Sequence, residues 1–199
     1  MYRPRSLWRE DSREITPIIN ALSFSPSQSH LATICVDKKM RIYDVETLEL
    51  VRTIHHGSGE HSLVGVYSPV EDVIACGPKK LSLFDADTGK RVETFVGNKK
   101  NVFALAFSPD GARLWSGAFS STSGRGEGLW CWDRPTGARV WSGFEREQIV
   151  SLAISSDGGI LFIALSYRPP RASQIVALDT TAFEEVWRVD VEGRPHRIE

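Results

Sequence analysis

The 199-residue sequence has no run near the ~20 consecutive apolar residues that a membrane helix needs, and its start, MYRPRSLWRED, carries acids where a secretory leader has an apolar core. These absences predict an intracellular chain, cytoplasmic or nuclear, with no membrane partner. Cysteine is scarce, and Cys35, Cys76 and Cys131 are odd in number with no CxxC spacing. That excludes a disulfide scaffold and a thiolate zinc site, and leaves three small core residues. No Asn-x-Ser/Thr sequon is present. An excess of charge is missing too: 24 Lys and Arg meet 25 Asp and Glu, for a formal −1. A uniformly basic nucleic-acid binder is therefore excluded, although one face can still carry one sign. No Ser/His/Asp arrangement, paired-carboxylate spacing or dinucleotide fingerprint occurs, which lowers the expectation of catalysis.

What is present is alternation. With 41% hydrophobic and 25% charged residues the chain can build a real core. Residues 102–144, VFALAFSPDGARLWSGAFSSTSGRGEGLWCWDRPTGARVWSGF, read as four short strands with a turn signal after each of the first three. A sheet with apolar residues on both faces needs neighbours stacked against it. Taking Trp132-Asp133 as a ruler, Tyr43-Asp44, Phe84-Asp85 and Leu178-Asp179 fall at equivalent points, at spacings of 41, 48 and 46 residues. A repeat of that length matches one propeller blade.

The expectation is one domain over residues 1–199, with four-stranded antiparallel blades at about 21–54, 64–95, 102–144 and 149–190 and a half-blade at 6–15. Strands a, b, c and d follow in order within each blade. The Asp of the ruler opens a turn, with Thr47, Thr88 and Thr136 three residues later able to bond back, so Asp44, Asp85, Asp133 and Asp179 read as structural. Trp115, Trp132, Trp141 and Trp187 read as packing between blades. Trp130 alternates with Trp132, and one of the two is expected to face away from the other.

Two loops carry candidate chemistry. HHGSGEH offers His55, His56, Glu60 and His61, a donor set sufficient for zinc, but no strand or helix fixes its geometry and no metal is expected. GRGEG, Gly124 to Gly128, superficially resembles a phosphate cradle. A strand follows it where a nucleotide site needs a helix N-terminus, so it reads as a long b to c loop next to an exposed Ser/Thr stretch.

The FSPDG turn (Phe107 to Gly111), the LWCWD ending and the weaker IYD, FD and LD endings resemble WD-repeat β-propellers over nearly the whole chain. No blade shows the Gly-His pair that usually precedes strand a in that family; His61 lies too close to Ser68. The resemblance implies an all-β propeller, incomplete or small, acting as a non-catalytic scaffold for protein partners, with no cofactor. The alternative is an enzyme or sensor of a quinoprotein or lactonase-like propeller family, which would converge acids or histidines on a central channel. About four blades with bare edges also imply self-association or a place in a longer propeller.

In a propeller blade the d to a and b to c connections share one face. Lys38, Lys39, Lys79, Lys80, Lys99, Lys100, Arg125, Arg146, Arg168 and Arg171 fall there, ten cations against the five acids Asp37, Glu60, Glu127, Glu145 and Glu147. This face, with His55, His56 and His61 at its rim, is expected to receive an acidic or phosphorylated segment of a partner.

Overall fold

A computed structural model describes residues 18–56, 64–77, 80–96, 101–119, 126–145, 147–166 and 173–191. All the described secondary structure is β. The first sheet holds β1 (Ile19–Phe24), β2 (His30–Cys35), β3 (Lys39–Asp44) and β4 (Leu50–His55). The second holds β5 (Gly65–Tyr67), β6 (Val73–Cys76), β7 (Leu81–Asp85) and β8 (Arg91–Phe95). β9 (Asn101–Phe107), β10 (Arg113–Phe119), β11 (Gly126–Asp133) and β12 (Arg139–Gly143) form the third. β13 (Ile149–Ile154), β14 (Ile160–Leu165), β15 (Ser173–Asp179) and β16 (Glu185–Val191) form the fourth. Each sheet is antiparallel and runs in chain order. The expected four-stranded blades are therefore present.

The burial pattern explains the stacking. Middle strands are apolar on both faces, as in β6, where all four residues of VIAC are buried, while the last strand of each sheet is mostly exposed. Three clusters weld successive blades. Ile34, Met40 and Ile54 of the first meet Tyr67, Ile74 and Phe84 of the second. Leu81, Leu83 and Phe95 meet Leu105, Trp130 and Trp132 of the third. Trp115, Leu129 and Cys131 meet Leu161, Ile163 and Val176 of the fourth. Each fully buried side chain of this size contributes roughly 1.5–3 kcal/mol. The welds are close: a Cβ on Gly117 of β10 would stand 2.4 Å from Ile149 Cγ2 of the next blade, so only glycine fits.

Inner strands follow one another, β1 beside β5, β5 beside β9 and β9 beside β13, and no comparable packing joins β13 to β1 among the described residues. Among the described residues the blades form an open arc of four. The half-blade read at residues 6–15 lies outside the described residues.

Three expectations are corrected. Trp130 and Trp132 share a face, with ring centroids 5.5 Å apart, because residues two apart on a strand point the same way. Trp187 is 44% exposed and touches Phe162, since no blade lies behind it among the described residues. Gly126 to Gly128 are not loop: they open β11, where Gly126 pairs with Phe119 and Gly128 with Ala118.

Candidate functional site

The b to c turn of the first blade carries Lys38 and Lys39 beside the end of β4. Lys38 takes a left-handed backbone (φ 64°), its N–H donates to Cys35 O at 3.3 Å, and its carbonyl accepts from His56 N–H at 3.2 Å. Lys39 lies opposite His55 in the ladder. Asp37, the acid of this turn, is occupied: Arg41 donates to it at 2.5 and 3.3 Å and the Lys39 N–H at 3.2 Å. The Arg41 hydrogen bond, chiefly, holds its carboxyl below the usual range. Lys80 is exposed at the corresponding turn of the second blade, ahead of β7. No ion pair involves Lys38, Lys39 or Lys80 among the described residues. His55 is exposed, whereas His56 is 7% exposed and burial lowers its imidazole pKa. Lys79, Lys99, Lys100 and His61 lie outside the described residues.

The opposite face is anionic. Asp44 accepts from Thr47 N–H at 2.7 Å and its hydroxyl at 2.9 Å; Asp85 accepts both from Thr88 at 2.6 Å. Asp133 accepts the Thr136 hydroxyl at 2.6 Å, and Asp179 the N–H groups of Thr181 and Ala182 at 2.8 Å. All four stay below the usual carboxylate range: Asp44 and Asp179 chiefly through backbone N–H groups, Asp85 and Asp133 chiefly through the threonine hydroxyls. The residues before them, Phe84, Trp132 and Leu178, are buried, and Tyr43 is half-buried. These positions hold turns and sheets together.

β1, β5, β9 and β13 line a central cavity of about 700 Å³. Its described lining residues include no Asp, Glu, His, Lys, Arg or Cys; Tyr67 is the one titratable side chain among them, pushed up to about 12 by burial. Among the described residues no group of three His, Cys, Asp or Glu could hold a metal ion. The three cysteines form no disulfide and are buried, and burial pushes the Cys131 thiol up to about 12.

The WD domain, G-beta repeat family matches residues 13–44 and 89–133. The WD repeat-containing protein WDS homolog of Arabidopsis thaliana is 30% identical over 180 residues, covering 87% of this chain and 32% of that protein. The chain is a WD-repeat protein. Telomerase Cajal body protein 1 of Homo sapiens is 26% identical over 190 residues, covering 90% of this chain and 31% of that protein. Nuclear distribution protein PAC1-2 of Uncinocarpus reesii is 31% identical over 149 residues, covering 67% and 30%. The chain spans about a third of the length of the curated relatives it matches. The two WD-repeat matches end at Asp44 and Asp133, the two rulers with an aromatic and a full b to c turn before them.

Sequence reasoning missed two features of these blades. A serine closes each a to b turn: Ser25, Ser108 and Ser155 accept the N–H of the residue five on at 3.0, 2.8 and 2.9 Å, and Ser68 accepts from Val70 and Glu71 at 3.3 Å. Its signal was the serine that ends every strand a. The other, Arg134 donating to Glu93 at 2.8 Å and Glu71 at 3.1 Å across blades two and three, has no local signal.

Proposed function

We propose that this WD-repeat chain is an intracellular, non-catalytic protein-interaction scaffold whose lysine-bearing loop face takes an acidic or phosphorylated segment of a partner protein. The observation that carries the reading is the contrast between cavity and rim. A propeller enzyme converges acids or histidines on its channel, and this channel is lined by apolar and small polar side chains. Charge sits instead on the turns. In the b to c turn of blade one Asp37 is neutralised by Arg41, leaving Lys38 and Lys39 to set the sign there, while Lys80 is exposed at the turn of blade two and Lys79, Lys99 and Lys100 belong by sequence to the same set of connections. A rigid surface of one sign attracts its opposite before contact and is screened by salt. Relatives of the same repeat type support the scaffold role by analogy of fold.

The test is biolayer interferometry of the full chain against immobilised poly-glutamate, phosphoserine and poly-lysine peptides. Binding to the two anionic peptides that weakens with salt, and falls about tenfold or more on changing Lys38, Lys39, Lys79 and Lys80 to Glu, is the expected result. Binding indifferent to salt and to those four changes rejects the reading.

A further inference from the structure

The a to b turns of blades one, three and four share one conformation. Each opens on a serine, Ser25, Ser108 or Ser155, and the residue three on, Gln28, Gly111 or Gly158, has a left-handed backbone (φ 59°, 70° and 76°). That residue donates its N–H to the serine carbonyl at 2.9, 2.8 and 2.8 Å. What differs is the residue between them. In blade three Asp110 accepts from the Ser108 hydroxyl at 2.5 Å and the Ala112 N–H at 2.9 Å, and in blade four Asp157 accepts from the Ser155 hydroxyl at 2.6 Å and the Gly159 N–H at 2.9 Å. Both carboxyls are held below the usual range, chiefly by those serine hydroxyls. The turn is a cradle for an anion.

In blade one the aspartate's position belongs to Ser27. Its hydroxyl lies 3.1 Å from Ser25 Oγ and accepts from the Ser29 N–H only at 3.5 Å, because a serine oxygen stops one bond short of a carboxylate oxygen. The same turn carries groups that its two counterparts do not. Ser29 stands where they have Ala112 and Gly159, and it sets a hydroxyl 2.7 Å from Ser27 Oγ, with His30 Nδ1 a further 3.4 Å on. A carboxylate has two oxygens to satisfy, whereas a phosphoryl group on serine has three terminal ones and reaches one bond further than aspartate. The extra donor suits the larger anion. Ser27 is exposed, and Ser25 is only 3% exposed.

We propose that Ser27 is a phosphorylation site, its phosphoryl group held by the Ser25 and Ser29 hydroxyls and the Ser29 N–H in the place that Asp110 and Asp157 take in their blades. A protein kinase supplies the nucleoside triphosphate. The Ser27 oxygen bonds to the γ-phosphorus, the bond to the bridging oxygen breaks, the nucleoside diphosphate leaves with that electron pair, and the hydroxyl proton passes to the kinase's base. Charge-assisted hydrogen bonds then replace the 3.5 Å contact and tighten the turn. Ser27 precedes β2 and Lys38 follows it, so the site stands at the other end of the blade from the lysine turn and does not depend on what that turn binds.

Tandem mass spectrometry of the full chain, recovered from its own cells with phosphatases inhibited, should place a phosphoryl group on Ser27 and none on Ser25. The full chain made with phosphoserine in place of Ser27 should melt about 2–4 °C above the unmodified chain. Ser27→Asp should also melt above the unmodified chain, as the carboxylates of blades three and four lead one to expect. Phosphoserine in place of Ser29 is the control and should give no rise, since that position is Ala112 or Gly159 in the matching turns. An unmodified Ser27 in the recovered chain, with or without phosphate on Ser29, overturns the proposal. So does a phosphoserine-27 chain that melts no higher than the unmodified chain or the phosphoserine-29 control.

Discussion

Trp132 shows how much one side chain holds. It is 1% exposed, donates its indole N–H to Ser116 Oγ at 2.8 Å, and packs on Phe95 at 5.3 Å and Trp130 at 5.5 Å. Trp132→Ala removes the largest ring of the joint between blades two and three and leaves Ser116 without its donor. The expected cost is about 3–5 kcal/mol, read as a lower denaturant midpoint, with Trp132→Phe in between. An unchanged midpoint contradicts the packing. His56 is the second case. Burial holds its imidazole below the ordinary 6.5, against the Cys35 backbone and Asp37, which favour the proton. The unfolded chain therefore takes the proton first as pH falls. Stability is whole above about 6.5 and declines as pH drops from there toward the lower folded value. The denaturant midpoint should be lower at pH 5.5 than at pH 7.5, and His56→Phe should shrink the difference.

At the scale of elements, the turns set blade geometry. The a to b turn of blade three needs glycine: Gly111 has φ 70°, and a Cβ there would stand 2.5 Å from Val70 Cγ2 of blade two. Gly111→Ala combines left-handed strain with a clash between blades, and we expect about 1–3 kcal/mol of destabilisation. Gly159→Ala in blade four is the control, because its φ is not positive and its contacts begin at 3.4 Å. Equal thermal midpoints for the two variants disprove the account. Leu48 and Phe183 show the converse, since each holds a left-handed backbone without being glycine. Phe183 is compensated by Trp115 at 5.9 Å and Trp141 at 5.3 Å. Leu48, 56% exposed, has no such partner ring among the described contacts.

At the scale of the whole molecule, the fold separates charge. Strand order sends the Asp44, Asp85, Asp133 and Asp179 turns to one face and the turns of Lys38, Lys39 and Lys80 to the other. On the proposed function, the lysine turns orient an anionic partner during approach. Charge reversal at Lys38, Lys39, Lys79 and Lys80 should therefore act mainly on the association rate and flatten its salt dependence, with dissociation nearly unchanged. Stopped-flow measurement with the phosphoserine peptide separates the two rates, and an effect confined to dissociation contradicts steering.

Strand alternation, the Asp-x-x-Thr turns and the repeat near one blade in length were legible in the residues, because each depends on groups within a few positions of one another. The buried cysteines followed from their place in the same alternation. Tertiary structure decided the rest. Both faces of a middle strand are apolar, so local pattern could not say which blade Trp130 meets, and it lies with Trp132 against blade two. Trp187 carries the same ring as Trp141 at the same register, yet one stacks on Phe183 and the other faces solvent. The difference is the presence of a next blade among the described residues, a property of the arc and not of the repeat. The Arg134 bridge and the cavity, whose described lining holds no acid or histidine, also belong to it, since both form only when strands from separate blades are brought side by side.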